Sequence, residues 1–600
     1  MSGIVGIVNW DGTLVDPGLL SRMTDALKHA GPDGQHIWLG GAVGFGHASL
    51  RTSRDAAPET QPLTLDGQTW ITACGRIDGR LDLVRRLTAH GCAGLGDAGD
   101  TALMLQAYRV WGESCVRHLR GDFAFAVWDG PRRRLFCARD HFGVKPLFYA
   151  EGPNVLVFSS SLQCLRLHPA VSSTLDEQAI AEFLLTGSVQ APARTCFAAI
   201  RRLPAAHSLT REGDLHVQRY WALSVDGEIR YRRGGEYVEH FADLLGQAVG
   251  DRLRCRSVGV LMSGGLDSTA IAATAKRCLD QNRAPYDLRA YTTVCHRIVP
   301  DPERRFAQRA ADALSIPIHY RIVDDYRLFE RWDKPELRRP EPESDPLLAV
   351  HFDQLNEAAV NGRVLLTGYG ADPAMRLPMR YASELLRRGR IGRLAAEVVR
   401  YVAHCRRLPR VRLGRHARRR LGLERPALEV APVWLGPAIR TRDQAVPESR
   451  PVHRTRPDAY ELLTSTEWPL LFESFDPGLT GVPVEVRHPF FDVRLVEYLL
   501  AIPPMPWCFD KTVVRLAMRG ALPDAIRLRP KSVAGGDPVL AMLRSPDAHW
   551  IDGFDAVPAL GRFVDRALVP PVRHEADANA VWTNLRPLCL NLWLQAHDAG

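Results

Sequence analysis

The chain has 600 residues, 46% of them hydrophobic and 24% charged, which is the balance of an ordinary globular protein of two to four domains. Its formal charge of +9 is spread along the length rather than gathered into the basic stripe that a nucleic-acid surface needs, so no nucleic-acid partner is expected. Its 12 cysteines include no CxxC pair and no Cys/His cluster at zinc spacing, and no apolar run reaches about 18 residues. A zinc module and a membrane partner are excluded on that pattern, and reduced thiols without a signal peptide suit the cytoplasm.

The first third reads as short strands between Gly and Asp turns: "GAVGFGHASL" (41–50), "TWITACGRI" (69–77), "DFAFAVWD" (122–129), "RRLFCARD" (133–140) and "NVLVFSSS" (154–161). Helical spacing falls between them at Pro17–His29 and Thr101–Trp111. This predicts an α+β layered domain over residues 1–220. A second domain, 221–600, opens with a helical pattern and the strand "SVGVLM" (257–262), then the loop "SGGLDS" (263–268) and the helix "TAIAATAKRCL" (269–279). The strand "DLRAYTTV" (287–294), a helix over Glu303–Leu314, "IPIHYRIV" (316–323) and "GRVLLTG" (362–368) continue the alternation, which predicts a parallel sheet covered by helices. A mainly helical tail follows. The Arg-rich run 405–425 within it reads as a solvated helix and loop, or as a dock for an acidic peptide or partner.

In Ser263–Ser268 two glycines follow a buried strand directly. They let successive N–H groups turn into one concavity, which with the helix N-terminus binds phosphate. Ser263 and Ser268 add hydroxyls. Asp267 cannot donate to a phosphate, so its place beside one suits a Mg²⁺ ligand. No lysine stands in the loop, so it is not a Walker A motif.

This loop resembles the pyrophosphate loop of the ATP-pyrophosphatases, and the whole chain resembles the asparagine synthetase family. The resemblance rests on "MSGIVGIVNWDG", "HAGPDG" (29–34), "LRGDFAFAVWD" (119–129) and "ARDHFGVKPLFY" (138–149) in the first domain. In the second it rests on "LLTGYGAD" (365–372), "EVRHPFFD" (485–492), "DKTVVRLAM" (510–518) and "RPKS" (529–532). It implies an N-terminal amidotransferase sandwich and a C-terminal ATP-pyrophosphatase domain. The implied chemistry cleaves ATP between the α and β phosphates, transfers AMP to a carboxylate and lets an amine displace it. The implied ATP and pyrophosphate contacts are Ser263, Gly264, Gly265, Asp267 and Ser268, with Leu261, Thr293 and Gly368 around the adenosine. Asp267 and Asp372 would hold Mg²⁺, and Lys531 would neutralise developing negative charge.

The amidotransferase half departs from the family's glutaminase pattern. The nucleophile position holds Ser2, the family's "NGE" is Cys74, Gly75 and Arg76, and its carboxylate-clamping arginine falls on Ser49; Asp100 alone survives. Losing one oxyanion donor costs roughly 2.7–4 kcal/mol. The amine is therefore expected from the substrate, not from glutamine. Where asparagine synthetases have Glu, this chain has Tyr369, as the β-lactam and carbapenam synthetases do. There the tyrosine works with a glutamate, whose matching position here is Glu473. Other strings, "FAAIRRLPAAHSL" (197–209) and "IPPMPWCFDK" (502–511), resemble the lasso peptide cyclases. That likeness implies a linear precursor peptide as substrate, with a leader-binding element and a leader peptidase as partners. A small-molecule β-lactam-type cyclase and a glutamine-hydrolysing asparagine synthetase are the alternatives.

Overall fold

The computed structural model describes residues 2–53, 59–282, 284–376, 385, 389–405, 431–436, 439, 453–530 and 536–598. The Arg-rich run, apart from Cys405, and Lys531 lie outside them. The N-terminal half is two facing sheets of six strands. One runs Arg201–Arg202, Phe148–Glu151, Val155–Ser159, Gly3–Asn9, Val43–Ala48, Gln35–Leu39. The other runs Leu215–Arg219, His207–Arg211, Arg134–Arg139, Gly121–Asp129, Thr69–Ile77, Leu63–Thr64. Every pairing is antiparallel.

Alternation along a strand explains the layering. In Gly121–Asp129, Ala124 and Ala126 point into the core between the sheets with Phe45 and Phe158. Phe123, Phe125 and Val127 point outward onto the helices Arg80–Ala89 and Asp100–Trp111.

The C-terminal half is built on a parallel sheet. Its strands are β1 (Ser257–Leu261), β2 (Asp287–Val294), β3 (Ile318–Ile322), β4 (Val364–Leu366) and β5 (Glu485–Arg487), in the spatial order β3-β2-β1-β4-β5. The chain steps outward from β1 to β3 and returns to the other side of β1 at β4. The crevice between the carboxyl ends of β1 and β4 is thus a topological switch point, where open parallel sheets bind ligands. Helix α1 (Leu266–Gln281) packs on β1 through Ala270, Ile271 and Ala275, small residues that allow close approach.

The halves share cores. Phe142 meets Trp221 and Phe491, with ring centroids 5.7 and 5.3 Å apart. The tail helix Ala578–Asp598 packs Leu585, Leu590 and Trp593 into the same cluster as Ile180, Phe183 and Leu184.

A buried ion cluster joins the halves. Arg76 pairs with Asp78 at 2.7 Å, with Asp122 at 2.8 Å and across the boundary with Glu485 at 3.7 Å. Arg252 pairs with Asp78 and with Asp492, each at 3.1 Å. Glu485 also takes Lys145 at 3.0 Å and Arg487 at 2.7 Å. Burial alone would raise these carboxyls, but Arg252 and Arg76 hold Asp78 well below the usual range, as Arg487 and Lys145 hold Glu485.

Removing one member strands the others in low dielectric. Arg76→Ala should lower stability by about 3–5 kcal/mol, read from the urea midpoint. Asp78 and Glu485 have depressed folded values, so their stabilisation is complete above the unfolded value of about 4 and is lost as pH falls below it. Asp140, pushed up to about 6 by burial and Asp122, has the opposite sign and weakens the fold as pH rises from about 4 to 6. Acid unfolding followed by circular dichroism should therefore begin below about pH 4.

Candidate active site

The loop after β1 and the turn after β4 meet at the switch point. A Cβ on Gly264 would lie 2.4 Å from Phe306 Cβ, on the helix α2 (Glu303–Leu314), and 2.8 Å from the Ala307 nitrogen. One on Gly368 would lie 2.8 Å from the Ser268 nitrogen. Only glycine lets these backbones close together. The loop braces itself, because the Ser268 hydroxyl donates to the Ser263 carbonyl at 3.0 Å and the two hydroxyls lie 3.2 Å apart. Ser263 is exposed and Ser268 buried. Leu261 ends β1, and Thr293, half-buried near the end of β2, stands on the rim beside it.

Asp267, in the first turn of α1, and Asp372, after β4, come together on one group: the Lys511 ammonium. Lys511 pairs with Asp267 and, at 2.5 Å, with Asp372. Two carboxylates from separate strand ends that reach the same cation form the oxygen donor set a small hard ion takes beside phosphates, so the residues fit Mg²⁺. Among the described residues no group of three or more His, Cys, Asp or Glu side chains comes together as a metal site.

Lys511 is the residue that sequence reasoning misses. It sits in the "DKTVVRLAM" string, but its position depends on Asp510 and Lys511 both adopting left-handed backbone, φ 51° and 53°. Each costs about 1–2 kcal/mol for a residue with a Cβ, and such strain collects at functional sites. Arg529 is the second missed residue. It donates to the Gly264 carbonyl at 2.9 Å, pairs with Glu303 at 2.7 Å and covers the Phe306 ring at 3.8 Å. That tethers the "RPKS" segment to the phosphate loop up to Pro530; Lys531 itself is outside the described residues.

Tyr369 stands at the mouth, 40% exposed, with its ring 6.1 Å from Phe475 and 6.2 Å from His488. Burial and the Asp345 carboxylate push its phenol up, which favours a proton donor over a phenolate. Glu473 is on helix α3 (Glu467–Ser474), two residues before Phe475, which caps that helix. The structure does not bring it into a hydrogen-bonded pair with Tyr369 among the described residues. Its carboxylate takes Arg139 at 2.9 Å and Arg202 at 2.9 Å, both from the N-terminal half. With both guanidiniums on this carboxylate, no Tyr369–Glu473 hydrogen bond is formed among the described residues. Sequence spacing could place Glu473 near Tyr369 but could not show which cations would reach it first.

The positions implied for a glutamine site are occupied by protein contacts. The Ser2 hydroxyl accepts from the Leu50 N–H at 3.2 Å. Cys74 is buried and its thiol pushed up to about 12 by that burial. Arg76 belongs to the ion cluster. Asp100 pairs with Arg254 at 2.5 Å and Arg80 at 2.9 Å and accepts from the Ile77 N–H at 3.0 Å. The cysteines other than Cys405 are free thiols, and no helix among the described residues is long and apolar enough to cross a membrane.

Comparison with known proteins agrees with both halves. A glutamine amidotransferase domain matches residues 1–221, and an asparagine synthase domain matches residues 240–595. The chain is 28% identical over 553 residues to asparagine synthetase (glutamine-hydrolyzing) 3 of Bacillus subtilis (strain 168), across 89% of this chain and 86% of that one. It is 30% identical over 385 residues to a putative asparagine synthetase (glutamine-hydrolyzing) of Mycobacterium tuberculosis (strain ATCC 25618 / H37Rv), across 59% and 56%. It is also 27% identical over 372 residues to amidase chry2 of Gibberella zeae, across 59% and 54%. With the phosphate loop, the paired aspartates and the parallel sheet in place, the chain belongs to the asparagine synthase family of ATP-dependent ligases that form amide bonds.

Proposed function

We propose that the chain is a peptide macrolactam synthetase of the lasso cyclase type. A linear precursor peptide presents an Asp or Glu side-chain carboxylate, AMP is transferred to it from ATP with loss of pyrophosphate, and the peptide's N-terminal amine displaces AMP. The observation that carries this reading is Arg76. It stands where a glutaminase in this family needs an acidic grip on the glutamine amine, and it is spent on Asp78, Asp122 and Glu485. With Cys74 buried beside it and Asp100 paired with Arg254 and Arg80, no free acid is left to hold a glutamine amine, which favours an amine that arrives with the carboxylate. Placing both in one site contributes about 7–11 kcal/mol of effective concentration.

In this reading the backbone N–H groups of residues 263–268 cradle the leaving pyrophosphate. Asp267 and Asp372 hold Mg²⁺, which would neutralise phosphate charge. Lys511 and Lys531 supply further positive charge, and Tyr369 lines the path of the amine. Glu473, fixed by Arg139 and Arg202, holds the wall that carries Phe475. A leader-binding element and a leader peptidase would deliver the peptide. A second reading, glutamine-dependent asparagine synthesis, is favoured by the likeness of both halves to the Bacillus enzyme. A β-lactam-type cyclase would share the same nucleotide site.

Mass spectrometry separates these readings. With ATP, Mg²⁺, the linear core peptide and its maturation partners, the product should lose one water, about 18 Da, with AMP released. Glutamine should yield no glutamate above the enzyme-free rate; glutamate with asparagine formation would establish the second reading. Asp372→Asn should cut pyrophosphate release by about a hundredfold or more in a coupled assay, because one of the two carboxylates at the phosphates is lost.

A further inference from the structure

A cavity of 540 Å³ lies between the halves, within the range that takes a small ligand. Apolar side chains such as Phe148, Trp468 and Leu471 form part of its lining, but its charged groups are unequally satisfied. The two lining arginines turn to backbone carbonyls: Arg339 donates to Leu479 at 3.1 Å, and Arg586 to Leu184 at 3.1 Å and to Leu185. Two lining acids, Glu341 and Glu473, are paired with Arg202. Two others, Glu343 and Asp476, have no Lys or Arg within ion-pair distance among the described residues; Glu343 accepts from the Ser344 N–H at 2.9 Å, and Arg339 and Lys145 act on Glu343 and Asp476 only from longer range. Asp476 is only 8% exposed and uses one oxygen to cap the turn at Gly478, accepting at 2.7 Å. Burial pushes Asp476 up to about 6, and burial with the neighbouring Asp345 raises Glu343. A bound cation would relieve both costs.

Both acidic walls of the cavity belong to segments that reach Tyr369. Asp476 follows Phe475, whose ring lies 6.1 Å from Tyr369. Glu343 is two residues before Asp345, the carboxylate that acts on the Tyr369 phenol. We propose that this cavity receives the protonated amine of the acyl acceptor, a primary ammonium on a short, partly apolar chain, with Glu343 and Asp476 as its carboxylate anchors. The proposal rests on the reading that the substrate brings its own amine. It gives the N-terminal half a direct part in specificity, since Phe148, Ser160 and Val189 line the same cavity.

The test is titration calorimetry on the full chain without ATP. The probes are L-alanyl-L-alaninamide, which carries an ammonium, and its N-acetyl derivative, which does not. Saturable binding of the first and none of the second is expected. Glu343→Gln and Asp476→Asn should each weaken it by about tenfold or more, as the loss of a charge-assisted bond. Asparagine still caps the Gly478 turn, so that variant keeps its local fold. Equal binding of the two probes, no saturable binding of the cationic one, or wild-type binding in both variants would overturn the proposal. No ring closure enters this measurement, so the two readings fail separately. Probe binding that depends on Glu343 and Asp476 in a chain that closes no peptide would sink the cyclase reading alone. In a separate closure assay, wild-type KM and rate for the peptide in both variants would sink the cavity proposal alone.

Discussion

The buried ion cluster around Arg76 and Glu485 is the constraint on which the rest of the structure depends. Four cations, Arg76, Lys145, Arg252 and Arg487, meet four carboxylates, Asp78, Asp122, Glu485 and Asp492, with almost no access to water. Such charges are tolerable only while every member is present. The cluster spans both halves, so it fixes their relative placement by electrostatics as well as by shape. Glu485 and Arg487 also form the edge strand β5, which pairs with β4, the strand that ends at the Tyr369 turn. A contact that begins in the N-terminal sandwich therefore sets the position of the reacting end of the parallel sheet.

At that end the geometry follows from strand order. Because β1 and β4 are neighbours while the chain leaves β1 toward β2, the loops after β1 and β4 face each other across an open crevice. Gly264 and Gly368 let the backbones there approach closely, and Asp267 and Asp372 end on a common cation. The strained backbone at Asp510 and Lys511 and the Arg529 tether bring two distant helical segments to the same loop. The crevice at this end of the sheet is thus assembled from five stretches of chain, each held by its own packing.

The N-terminal half has kept the amidotransferase architecture while its polar residues have turned to the neighbouring domain. Arg139 and Arg202 hold Glu473, Arg76 holds Glu485, and Asp100 holds Arg254. At two of the positions that the resemblance gives to a glutamine site, Arg76 and Asp100, the side chains face protein.

Much of this was legible in one dimension. Alternating strands, then strands alternating with helices, predicted the sandwich and the parallel sheet, because the periods of 2 and 3.6 residues are properties of local backbone geometry. The close turn after β1 was legible for the same reason: its two glycines and aspartate fall within six consecutive residues. The replacement of the acidic grip by Arg76 could also be read directly. What only the tertiary structure decided are the pairings of charges distant in sequence. Nothing in the string says that Lys511 will share Asp267 with Asp372, or that Glu473 will be claimed by Arg139 and Arg202 instead of meeting Tyr369. Those outcomes depend on which side chains packing brings within a few ångströms at low dielectric. There each pairing excludes its competitors, and no local period records the result.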